Sequence, residues 1–134
     1  MKNFIQKLPK AELHLHIEGS FEPELMFALA QRNQIDIPYK TIEEVKQAYK
    51  FSCLQDFLNI YYAGASLLIH EQDFYKLTMA YLTKCHEENI VHTEIMFDPQ
   101  THTQRGVAFE TIINGIQRAR NEAQEKWNIS SLLI

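Results

Sequence analysis

The chain has 134 residues, a formal net charge of −4 at pH 7 and 46% apolar residues, the composition of a globular protein and not of a disordered or fibrous one. Its slightly acidic balance and its lack of a dense Lys/Arg cluster exclude the electrostatic footprint of a nucleic-acid binder. No apolar run approaches the length of a bilayer span, and Met1 to Lys10 lacks the apolar core of a signal peptide, so no membrane partner and a cytoplasmic location are expected.

The first element is the stretch ELHLHIEG, residues 12 to 19. Strand alternation places Leu13, Leu15 and Ile17 on one face and Glu12, His14, His16 and Glu18 on the other. Gly19 and Ser20 break the strand, and Pro23 suits the first turn of a helix running through Leu25, Leu29 and Arg32 to about Asn33. Thr41 with Glu44 resembles a capping box that opens a short helix, and Ser52 with Gln55 reads the same way for a longer helix through Phe57, Leu58, Tyr61 and Leu68. Phe74, Leu77, Tyr81, Leu82 and Cys85 form the apolar stripe of a further helix.

Ile90 to Phe97 reads as a second strand, closed by the polar, turn-rich loop DPQTHTQRG. From Ala108 to about Trp127 the apolar positions Phe109, Ile112, Ile113, Ile116 and Ala123 fit a helical period, and SSLLI opens a third strand. Strand, helices, strand, helix, strand is the order of a parallel α/β sheet whose crossovers cover it with helices. Neither a repeat nor a linker divides the chain. Three strands cannot close a barrel, so residues 1–134 are expected to be the N-terminal portion of a single larger barrel domain. A complete (β/α)8 barrel typically has about 250 residues.

Chemistry gathers on the first strand. Same-face strand residues lie about 6.6 Å apart, and imidazoles at that spacing can converge on one ion. Zinc accepts imidazole nitrogen and in catalytic sites keeps a position for water. His14 and His16 are therefore a sensible half of a metal site. The competing reading, two ordinary polar residues on a half-exposed strand, loses ground because Gly19 follows, Glu18 continues the polar face, and barrels carry their chemistry at strand C-terminal ends. Cys53 and Cys85 stand in no CxxC pair, which points to two buried thiols and not to a redox or cysteine-zinc motif.

The stretch LPKAELHLHIEGSFEPELMFALAQRN closely resembles the N-terminus of the adenosine/adenine deaminase family of zinc aminohydrolases, and NIVHTEIMFDPQTHTQRGV resembles its adenine deaminase branch. The resemblance covers essentially the whole chain. It implies a (β/α)8 barrel that hydrolyses the exocyclic amine of a purine, using one zinc ion held by the two histidines of the HxH, a third histidine and an aspartate. By that match His14 and His16 are zinc ligands. The family's general acid, its water-handling histidine and the remaining zinc ligands have no counterpart in this sequence, so no catalytic residue is expected within it, and the chain alone should bind zinc poorly and turn over little.

Glu18 stands where the family's adenosine deaminases usually carry Asp. Its extra methylene would fill space that a ribose needs and could accept a hydrogen bond from the free base, which favours adenine over adenosine as the small-molecule partner; a conservative replacement is the alternative. Gly19 adjoins it. Leu54, Phe57, Leu58 and Tyr61 share a helix face. In the family the matching helix forms an apolar gate, and Phe57 and Tyr61 are the aromatic candidates for a purine wall, with simple core packing as the competing reading. Asp98 at the end of the second strand is a pocket candidate or a turn residue. His70, His86, His92 and His102 are not assigned to zinc.

Two other enzyme classes share parts of these patterns. Zinc deaminases of the H-x-E…P-C-x-x-C type are excluded because no PCxxC occurs. Metal-dependent phosphoesterases also open on an HxH strand, although EGS and FDPQTHT do not resemble them. A non-enzyme reading is a truncated chain that pairs its open sheet edge with another polypeptide and is poorly soluble alone.

Overall fold

The computed structural model describes residues 1–134, apart from the side chains of residues 2 and 3. In chain order the elements are α1 (Lys2–Lys7), β1 (Lys10–His16), a 3₁₀ turn (Ile17–Ser20), α2 (Pro23–Asn33), α3 (Ile42–Ala48), α4 (Leu54–Ser66), α5 (Glu71–Glu87), β2 (Ile90–Met96), α6 (Pro99–Thr103), α7 (Phe109–Trp127) and β3 (Ser130–Leu133). The strands form one sheet in the order β1-β2-β3, both pairings parallel.

Several helix boundaries follow the punctuation in the sequence. Pro23 opens α2, and Gln34 ends it in the left-handed region. Thr41 caps α3 by accepting from the Glu44 N–H at 3.1 Å, while the Glu44 carboxylate returns to the Lys40 N–H at 2.6 Å. At α4 the expectation fails: the N-cap is Cys53, which makes no side-chain cap bond, and Ser52 Oγ lies 3.4 Å from the Asp56 carboxylate. Helix α4 also stops at Ser66, short of Leu68, because the loop beyond turns into the α5 cap. Cys53 is consequently exposed, contrary to the buried-thiol reading. Cys85 is buried, and burial pushes its thiol up to about 11.

The larger correction concerns β1. Glu12 pairs with Thr93 and Leu15 with Ile95, so β1 advances three residues while β2 advances two. The extra residue is a bulge, and His14 takes a left-handed backbone with φ 62°, which histidine adopts more readily than most residues. The expected alternation is thereby reset. Glu12 joins Leu15 on the helix-covered side, where the Tyr81 hydroxyl donates to it at 2.7 Å. Leu13, 60% exposed, joins His14 and His16 on the open side. Glu18 leaves the strand altogether for the 3₁₀ turn.

The core lies between the sheet and its helices and includes Ile17, Phe21, Met26, Leu29, Phe74, Leu77, Leu82, Ile95, Ile112 and Ile116. Burial of such side chains from water is the main stabilising term. Asp73, fully buried at the start of α5, gathers donors from Arg32 (2.7 Å), Asn33 (2.9 Å), and the Ile69 and His70 N–H groups (3.2 and 2.8 Å). These bonds tie α2 to α5. Helices α5 and α7 meet at Gly115, where an added Cβ would stand 2.4 Å from the Glu71 carbonyl oxygen and 2.8 Å from Phe74 Cβ.

That close approach makes Gly115 intolerant of any side chain. Gly115→Ala is expected to cost about 1–3 kcal/mol by overpacking, read as a lower urea midpoint; an unchanged midpoint would show that α5 and α7 are further apart than described.

Candidate active site

The C-terminal edge of the sheet is where β1 delivers His16, the 3₁₀ turn delivers Glu18 and Gly19, and β2 delivers Phe97 and Asp98. His14 and His16 are both exposed, with ring centroids 5.3 Å apart and planes tilted by 53°. Two residues apart, they share the open side as the strand period expects; the bulge changes the faces of Glu12 and Leu13 and not the pairing of the two histidines. Two adjacent, solvent-accessible imidazoles are a chemically suitable donor pair for a zinc ion. Among the described residues no group of three His, Cys, Asp or Glu side chains is gathered to hold a metal.

Beside His16 lies a cavity of about 490 Å³ lined by Gly19, Phe57, Leu58, Tyr61, Phe97 and Asp98, among others. Helix α4 forms its aromatic wall: the Phe57 and Tyr61 rings are 5.8 Å apart, and Tyr62 packs edge-on to Tyr61 at 5.3 Å. Leu54 does not line this cavity. It is 70% exposed at the start of α4, one turn before the helix reaches the cavity. A second recess of about 400 Å³, bordered by Phe21, Tyr49, Tyr81 and Lys84, shares only Gly19 with the first.

Glu18 does not line the cavity; it lies beneath it, 1% exposed. Its Oε1 accepts from the Asp98 backbone N–H and faces His102 Nε2, both at 2.9 Å, and its Oε2 is 3.4 Å from the Tyr61 hydroxyl. Burial, aided by the Glu18 and Asp98 carboxylates, raises the pKa of Tyr61 well above its ordinary value, so the phenol stays protonated and able to donate. Asp98 has both of the roles weighed for it: it lines the cavity, and it caps α6 by accepting from the Thr101 N–H at 3.3 Å and from the Thr101 hydroxyl.

His102 is the residue that sequence reasoning passed over. It is fully buried, because DPQTHTQRG contains the short helix α6 and not an irregular loop. Phe74 packs edge-on against its ring at 5.0 Å, and Arg105 Nη2 lies 2.9 Å from its Nδ1. A signal was present: Asp98 followed by Pro99 is a helix start, which puts His102 and Arg105, three apart, on one face. The other unassigned histidines stand elsewhere. His70 caps α5, His86 stacks on Trp127 at 4.9 Å, and His92 pairs with the Ser130 hydroxyl at 2.6 Å.

Known proteins resemble the chain in sequence and in fold. The sequence model described as Adenosine deaminase covers residues 9–134. The chain is 65% identical over 130 residues to the adenine deaminase of Acinetobacter baylyi, covering 97% of this chain and 39% of that protein. It is 63% identical over 134 residues to that of Psychrobacter cryohalolentis, covering 100% and 40%. Among solved structures, the adenine deaminase from Arthrobacter aurescens superposes with a TM-score of 0.88 at 52% identity, over 93% of this chain and 38% of that one. An amidohydrolase from Burkhoderia ambifaria with bound zinc superposes with a TM-score of 0.86 at 25% identity, over 99% and 36%. The chain thus spans about two fifths of the length of these relatives, and its parallel sheet with covering helices is the N-terminal part of their (β/α)8 fold. On this evidence the chain belongs to the adenosine deaminase family.

Proposed function

We propose that this chain forms the front of a zinc-dependent adenine deaminase, whose complete barrel hydrolyses adenine to hypoxanthine and ammonia. The observation that carries the reading is the assembly of His16 with an aromatic cavity of about 490 Å³ at the C-terminal edge of the sheet, in a chain 65% identical to a protein named adenine deaminase. In this reading residues 1–134 are one portion of a single barrel domain, and the general acid and base lie outside them.

His14 and His16 would hold the zinc, the donor set being completed by residues outside this chain. Bound there, zinc supplies a Lewis acid that brings the ionisation of a water towards neutral pH. Water adds its oxygen to purine C6, one of its protons ends on ring N1 and the other on the amine, and the C6–N bond breaks to release ammonia and leave the 6-oxo product. Phe57 and Tyr61 stack against the flat base and, with Leu58, exclude bulk water, which strengthens the polar contacts inside. Gly19 leaves the space beneath Tyr61 open, and Asp98 offers a carboxylate at the rim. Glu18, under the floor, holds Tyr61 and the Asp98 backbone that bound the cavity and in this reading favours the free base. A place in purine salvage in the cytoplasm goes with this chemistry; among the described residues no helix is long and apolar enough to cross a membrane.

The test uses a chimera in which residues 1–134 replace the matching segment of the Acinetobacter baylyi relative. The chimera is expected to carry about one zinc per molecule and to release ammonia from adenine faster than from adenosine. His16→Ala should abolish turnover and strip the zinc. A folded, zinc-loaded chimera that deaminates adenosine better would put the nucleoside reading in place of this one, and a folded chimera active on neither would leave the chain as a non-catalytic fragment.

Glu18→Asp withdraws the carboxylate by one methylene. It should raise the ratio of kcat/KM for adenosine over adenine by about tenfold, measured by ammonia release in the same chimera. No change in that ratio would remove Glu18 from substrate choice.

A further inference from the structure

We infer that His102, locked by Arg105 into the Nε2–H tautomer, is a positioning residue that sets the Glu18 carboxylate to receive the ring N–H of a free purine base. The inference rests on the adenine deaminase reading and adds two residues that act through Glu18.

The lock follows from what each group can donate. A guanidinium has only N–H donors. Arg105 Nη2 divides its two protons among the carbonyls of Ala65 (2.9 Å) and Leu68 (3.2 Å) and His102 Nδ1 (2.9 Å), while Nη1 donates to the Ser66 carbonyl at 3.1 Å and Nε to that of Thr101 at 3.0 Å. Nδ1 must therefore present a lone pair. The ring proton is then on Nε2, where it points at Glu18 Oε1 at 2.9 Å. Phe74, edge-on at 5.0 Å, keeps the ring from flipping.

The consequence appears at Glu18. Oε1 receives two N–H donors, from His102 and the Asp98 backbone, which fixes the plane of the carboxylate. Oε2 has only the Tyr61 hydroxyl at 3.4 Å, long for an O–H···O bond. A buried carboxylate oxygen so poorly served favours another donor. Tyr61, Gly19 and Asp98 line the cavity above it, and the donor would reach Oε2 by taking the place of the Tyr61 hydroxyl. A free purine carries a ring N–H on its five-membered half; a nucleoside has a glycosidic bond there instead. Without His102, Oε1 loses a donor, the carboxylate turns to find another, and the distinction between base and N-substituted base fades.

The experiment compares adenine with 9-methyladenine in the zinc-loaded chimera, with kcat and KM determined separately. His102→Leu is expected to lower the adenine preference by about tenfold, through a raised KM for adenine more than a lowered kcat. His102→Gln, which keeps an N–H donor of similar reach, should restore most of it. Arg105→Met, which also frees the carbonyls at the end of α4, should give a fall of about threefold in the same direction together with loss of the Nε2–H tautomer by NMR. Imidazole nitrogen NMR of the unsubstituted chimera should show a protonated Nε2 and an unprotonated Nδ1 at His102, independent of turnover. An unchanged preference in folded His102→Leu or Arg105→Met, or the opposite tautomer, would overturn the inference. Failure of the unsubstituted chimera to release ammonia from adenine would count against the substrate reading alone, and the tautomer would then decide whether the lock exists.

Discussion

The site depends on one buried carboxylate. Removing an ionised carboxylate from water costs several kcal/mol unless polar partners replace the lost hydration, and Glu18 is only 1% exposed. Its partners come from the end of β2, helix α6 and helix α4, so satisfying the carboxylate fixes how these three segments meet the turn after β1 that carries it. The geometry that solvates Glu18 is also the geometry that shapes the cavity above it.

Helix α4 is held to this arrangement at a second point. A helix end leaves carbonyls without intrahelical partners; here Arg105 donates to those of Ser66 and, just beyond, Leu68, and also to that of Ala65, which accepts from the Leu68 N–H as well. The same guanidinium touches His102. The aromatic wall and the carboxylate floor are therefore joined through α6 as well as through Tyr61. Desolvation lowers the pKa of Arg105, yet an arginine remains charged under any ordinary condition.

The parallel sheet, the helices at Pro23–Asn33 and Phe109–Trp127, and the pairing of His14 with His16 were legible because they rest on period and punctuation. The bulge was not. Nothing in LHLH distinguishes a regular strand from one with a left-handed histidine, since φ 62° at His14 goes with the register of β1 against β2, which local sequence does not encode. Glu12 and Leu13 changed faces for that reason alone. His102 was hidden differently. A polar stretch with Asp, Pro and Thr reads as loop, and only the buried Glu18 explains why a histidine there should be fully enclosed. Asp98 shows the limit of choosing between readings, because cap and cavity wall turned out to be one position.

The most direct measurement is a crystal structure of the complete barrel carrying this chain, grown with zinc and hypoxanthine. The account predicts zinc against both His14 and His16, with the purine between that ion and the Phe57–Tyr61 wall and its five-membered half towards Glu18 Oε2. Zinc bound without either histidine, or a purine seated away from α4 and the Glu18 floor, would contradict it.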